Sequence, residues 1–168
     1  MEVFDFIERG EVGRVREVVE ADPTVLALRE GEYASPPLVW AARHGRVEVM
    51  EVLLELGAGL EERDKDEYTA LIVAAWNSQP GAVVHLLRAG ADPRARSRIN
   101  TTALHGAAYS GLAECVGPLV EAGGELDAQT NTGDTPLHLA SMEGQVEVVR
   151  ELLAHGADPS LVSSSSMV

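Results

Sequence analysis

Lysine is almost missing from this chain and cysteine nearly so: Lys65 and Cys115 are each the sole residue of their kind. A lone cysteine excludes an internal disulfide, which fits a reducing compartment. Cations as a class are scarce, with 13 Lys and Arg against 27 Asp and Glu and a formal charge of −14. That deficit speaks against nucleic-acid binding, because neutralisation of phosphates by Lys and Arg supplies most of such affinity. It speaks equally against an anionic membrane surface. Aromatics are few as well, two Trp, three Tyr and two Phe, and a core of Leu, Val and Ala suits thin stacked elements better than one bulky centre. No apolar run approaches the ~20 residues of a membrane span, and the opening MEVFDFIERGEVG lacks the basic and apolar regions of an export signal. The expectation is a cytoplasmic chain.

What is present is a period. Leu38, Leu71, Leu104 and Leu137 are 33 residues apart, and Gly57, Gly90, Gly123 and Gly156 follow at the same interval. A repeat of this size means one supersecondary unit copied and stacked, with no single central pocket. The units run approximately 31–63, 64–96, 97–129 and 130–162, and residues 1–30 read as a degenerate first unit with a polar outer face. Within the last unit, Thr135 is an N-cap, Pro136 suits the first helical position, and Leu137 with Ala140 begins an apolar stripe. Gly144 breaks that helix. Val146, Val148, Val149, Leu152 and Leu153 then carry a second amphipathic helix that Gly156 ends.

The stretch T-P-L-H-L-A at residues 135–140, with looser copies at residues 35–42, 68–75 and 101–108, resembles the signature of the ankyrin repeat, a family with the same 33-residue period. The resemblance covers nearly the whole chain. It implies an all-α fold: an ankyrin-repeat solenoid of stacked helix-turn-helix units with β-turn fingers, forming a single domain over 1–162 before a flexible Ser-rich tail, 163–168. Two departures are visible. Ser78 to Pro80 replaces a glycine corner, and Gly117-Pro118 falls inside a second helix, where a kink or a shortened helix is expected.

No catalytic constellation emerges, and the expectation is a non-enzymatic protein without cofactor or metal. There is no G-x-S-x-G, H-E-x-x-H, phosphate-binding loop or Cys/His cluster. Cys115 lies in the apolar stripe of a second helix and reads as a core thiol. His105 and His138 occupy the histidine of the family signature, where the resemblance implies bonds to backbone of the neighbouring finger. Copies one unit apart lie ~10 Å from each other, too far to share a zinc ion. The glutamates of the second helices form a solvated face.

The resemblance also implies where a partner docks: the concave side, built from finger tips and exposed positions of first helices. Carried onto this sequence, the candidates are Tyr33, Arg43, Lys65, Tyr68, Trp76, Asn77, Arg98, Ile99, Tyr109 and Met142. Trp76, Tyr109 and Met142 are themselves 33 apart and would align as an outward ladder of the residue types enriched at interface centres. The alternative is that these rings close gaps between units. Trp40, by contrast, reads as core. Arg94, Arg96 and Arg98 alternate along the third finger and either receive an acidic partner segment or neutralise Glu61 and Asp127 in adjacent units. The final Ser166-Met167-Val168 superficially resembles a C-terminal ligand for PDZ domains, a flexible tail being the simpler reading. The function expected is binding of another protein by a chain monomeric on its own. A self-assembling scaffold and a stoichiometric enzyme inhibitor stand as alternatives.

Overall fold

The structure, a computed structural model, describes residues 2–164. Helices arrive in pairs: α1 (Glu2–Arg9) with α2 (Val12–Ala21), α3 (Pro37–Arg43) with α4 (Val47–Glu55), α5 (Ala70–Trp76) with α6 (Pro80–Arg88), α7 (Ala103–Ser110) with α8 (Ala113–Glu121), and α9 (Pro136–Met142) with α10 (Val146–Ala154). A 3₁₀ turn, Pro23–Ala27, fills the longer first connection. First helices pack on first helices in the order α1, α3, α5, α7, α9, and second helices form a parallel row behind them. The result is the stacked solenoid that the period predicts.

Burial follows position in the stack. Leu38, Leu71 and Leu104 are each 1% exposed, whereas Leu137, which no further unit covers among the described residues, is only half-buried. In α5 every residue from Ala70 to Ala75 is buried, because this short helix has first helices on both sides and an all-round apolar surface is stable only inside a stack. Second helices bury one stripe, as with Cys115, Val116 and Leu119 of α8. Burial also pushes the Cys115 thiol up to about 11, so it is an inert core residue.

Thr135 accepts a hydrogen bond from the His138 N–H, while Nδ1 of His138 accepts one from the Thr135 N–H at 3.1 Å. His105 makes the same local bond to the Thr102 N–H, and its Nε2 donates to the carbonyl of Asp134 at 3.0 Å. That second bond ties α7 to the next finger. The buried imidazole is held neutral, its pKa lowered to about 4 chiefly by desolvation.

One local departure keeps the regular backbone and the other alters it at a helix start. There α8 opens with the Cys115 N–H donating to the Leu112 carbonyl at 3.0 Å, three residues back, where α4, α6 and α10 open with a four-residue span. Ser78 takes φ 55°, the left-handed conformation that Gly45, Gly111 and Gly144 adopt at the same place in their units. The expectation of a shortened helix at Gly117-Pro118 is corrected: α8 has nine residues, as do α4, α6 and α10. Pro118 forfeits one helical N–H, and the fully buried Cys115, Val116 and Leu119 hold the helix between α6 and α10 regardless.

Candidate partner-binding surface

The fingers are positioned by two sets of hydrogen bonds. Inside three of the fingers one polar side chain bridges the turn: the Asp64 carboxylate accepts from the Asp66 and Tyr68 N–H groups, both at 3.0 Å, the Ser97 hydroxyl accepts from the Thr101 N–H, and the Thr130 hydroxyl accepts from the Thr132 and Asp134 N–H groups. Between fingers, the N–H groups of Lys65, Arg98, Asn131 and Ser164 donate to the carbonyls of Tyr33, Asp66, Ile99 and Thr132, at 2.9 to 3.1 Å. The finger tips are therefore fixed relative to one another before any partner arrives.

Between α3 and α5 the front of the solenoid opens into a cavity of about 400 Å³. Seven of the ten predicted positions line it, Tyr33, Arg43, Tyr68, Trp76, Asn77, Arg98 and Ile99, together with Asp64, Asp66 and Val73. Tyr33 and Ile99 stand at its edge, 40% and 52% exposed. Lys65 joins them from the finger tip: its Nζ lies 5.5 Å from the centre of the Tyr33 ring, and the Arg43 guanidinium lies 5.2 Å from the same centre. Asp64, Asp66 and Val73 are wall residues absent from the predicted set, and Asp64 is the one with a recurring pattern. A carboxylate or hydroxyl recurring at residues 64, 97 and 130 was the available signal. Burial pushes its carboxyl above the ordinary aspartate range against the opposing bonds from Tyr68 and Asp66.

Trp76, Tyr109 and Met142 do not form one outward ladder. Trp76 is half-buried and its ring meets Tyr109 with centroids 4.9 Å apart, while its backbone carbonyl accepts from the Ser110 hydroxyl at 3.2 Å. Room for that ring comes from Gly106, where a Cβ would lie 2.9 Å from both Trp76 Cδ1 and Trp76 N. Met142, 67% exposed, lies in a separate shallow depression with Leu137, His138 and Leu153. Trp40 is half-buried against the core, its ring edge-on to Phe4 at 5.8 Å.

The arginines of the third finger alternate outward as expected, with Ala95 and Ser97 buried between them, but they reach in different directions. Arg94 donates to the Gly123 carbonyl, Arg96 pairs with Glu125, and Arg98 turns back to the Lys65 carbonyl and Asp66. Glu61 and Asp127 are not their partners. Those carboxylates accept instead from the Asp92 and Asp158 N–H groups, each at 2.9 Å.

The tail expected to be free from residue 163 begins docked. Ser163 is fully buried with its hydroxyl on the Asp134 carboxylate, and Ser164 continues the finger-to-finger bonding. The rest of that tail, including Ser166-Met167-Val168, lies outside the described residues.

Among the described residues no helix is long and apolar enough to cross a membrane. No curated protein matches the chain. The pattern of the family described as ankyrin repeats (3 copies) matches residues 15–97 and again 80–163, in register with the stacked pairs and the finger bonds, and the chain belongs to the ankyrin-repeat family.

Proposed function

We propose that this chain is a non-enzymatic protein-binding module whose docking surface is the face made by fingers and first helices, centred on the cavity between α3 and α5. The carrying observation is that cavity: seven side chains chosen on sequence grounds, from three successive units, converge on one opening of about 400 Å³. Ankyrin repeats are in general protein-interaction modules, which agrees with the site. The fingers are already bonded to one another, so little ordering accompanies docking and modest contacts suffice for useful affinity. Output comes from occupying, masking or bridging the partner.

A photo-crosslinking residue placed at Ile99, at the cavity edge, should capture discrete protein partners in cell extract. The same residue at Glu48 or Glu114 on the exposed second helices should not. Equal or stronger adducts from the second helices would sink the assignment of the face.

A further inference from the structure

We propose that the cavity between α3 and α5 receives an acidic side chain of the partner, an Asp or Glu flanked by aliphatic residues. The inference rests on the docking face proposed above and specifies its ligand. In a chain with 27 acids and 13 Lys and Arg, most arginines find carboxylates within 4 Å or backbone carbonyls. Arg43 and Lys65 differ. Neither has a carboxylate within 4.0 Å among the described residues, yet both stand over a single ring, that of Tyr33, at 5.2 and 5.5 Å. Two cations thus share one ring with no anion among the described residues within 4.0 Å of either, and like charges held in one place raise each other's energy. An anion seated beside them removes that repulsion.

The local acids do not fill this role. The Asp64 carboxylate attracts Arg43 only from beyond 4.0 Å and is turned to the N–H groups of its own finger, and Asp66 stands 4.0 Å from Arg98. Arg43 Nε and Trp76 Nε1, on two of the side chains that line the cavity, are buried behind its surface without acceptors among the described residues. Beside Tyr68, and Asn77 whose amide donates to the Val73 carbonyl at 2.8 Å, the rest of the lining is apolar: Val73, the Trp76 ring and the half-exposed Ile99. A carboxylate matches the cations, and aliphatic neighbours match Val73, Trp76 and Ile99. Asp64 and Asp66 in the same wall, and the acidity of the whole chain, disfavour a dianionic phosphate at this place.

The test uses four blocked pentapeptides, Ala-Leu-X-Leu-Ala with X as Glu, Gln, Lys or phosphoserine, titrated into the full chain and followed by the NMR signals of the Trp76 indole N–H and the Arg43 Nε–H. The Glu peptide should move both signals and bind about fivefold or more tightly than the Gln peptide, with Lys weakest. An Arg43→Gln, Lys65→Gln double variant should lower Glu binding to the level of Gln. If that variant does not fold, Lys65→Gln alone, at an exposed finger tip, should give a partial loss. Equal binding of Glu and Gln, tightest binding of phosphoserine, or no shift with any peptide overturns the proposal. Should the crosslinks from Ile99 succeed while Glu and Gln bind alike, the docking face stands and the acidic ligand alone fails. Crosslinks confined to the second helices overturn both.

Discussion

Two neighbouring seams of one solenoid behave differently: the seam between α5 and α7 is filled, and the seam between α3 and α5 is open. The backbone repeat is the same in both, so the difference lies in side chains at two registers. At the first, Arg43 and Trp76 are equivalent; at the second, Val73 and Gly106 are. In the closed seam a large ring lies over a residue with no side chain, and the Tyr109 ring packs on it at a tilt of 40° with centroids 4.9 Å apart. In the open seam Arg43 turns toward the Tyr33 ring and leaves the space before Val73 and Trp76 unfilled. A repeat protein thus places a cavity by local substitution on a uniform scaffold.

The contrast is most exposed to test at the equivalent residues. Trp76→Ala should cost about 3 kcal/mol in chemical denaturation, because it empties the closed seam. Arg43→Ala, in the open one, should cost no more than about 1 kcal/mol, the scale of a half-exposed cation-π contact. Equal losses would mean that the two seams are not packed differently.

Next in size is a pH effect on the closed side, where His105 fastens α7 to the finger beyond it. Its folded pKa is near 4 against an ordinary value of 6.5, so on acidification the unfolded chain takes the proton first. Its contribution is complete above about pH 6.5 and falls as pH drops toward about 4, by about 2–3 kcal/mol. Denaturation midpoints across that range should show the decline, and His105→Gln should flatten it.

Gly106→Ala should destabilise by about 2 kcal/mol, since the added methyl meets backbone at 2.9 Å and outweighs the usual helical gain over glycine. A neutral or stabilising result would show that α5 and α7 can part enough to admit a methyl and that the closed seam is soft. The smallest effect belongs to the corner just after α5, the helix that both seams share. Ser78→Gly relieves a left-handed serine and should raise stability by about 0.5–1 kcal/mol without altering the gap between Trp76→Ala and Arg43→Ala.

The fold was legible because its determinants are periodic and local. Leucine rungs, glycine corners and the Thr135-Pro136 start each announce themselves within a few residues, and Cys115 could be placed in the core from its position on the stripe. The site was legible as a face and less so as a shape. Register alone put Trp76, Tyr109 and Met142 on one outward line. It could not show that Gly106, one unit on, would draw the Trp76 ring down into the seam, because that contact joins two different registers. Asp64 escaped notice because a buried acid looks like any other acid in so acidic a chain. The three arginines were placed on the correct side, but their separate partners depend on which neighbouring carbonyl or carboxylate each guanidinium can reach. For Pro118 the local rule was outweighed by packing of the helix on both sides.

The single backbone bond that joins each finger to the next has a mechanical side. Tyr33, Asp66, Ile99 and Thr132 accept in series, so the finger edge behaves as an inextensible cord threaded through the stack. The row of second helices has no such cord and is held by side-chain contact, strongest where stripes meet and weak between α4 and α6. A load that bends the solenoid must therefore open it at the back, between α4 and α6. That pair belongs to two of the three units that line the cavity, so the compliant place of the molecule lies behind that opening on the finger side.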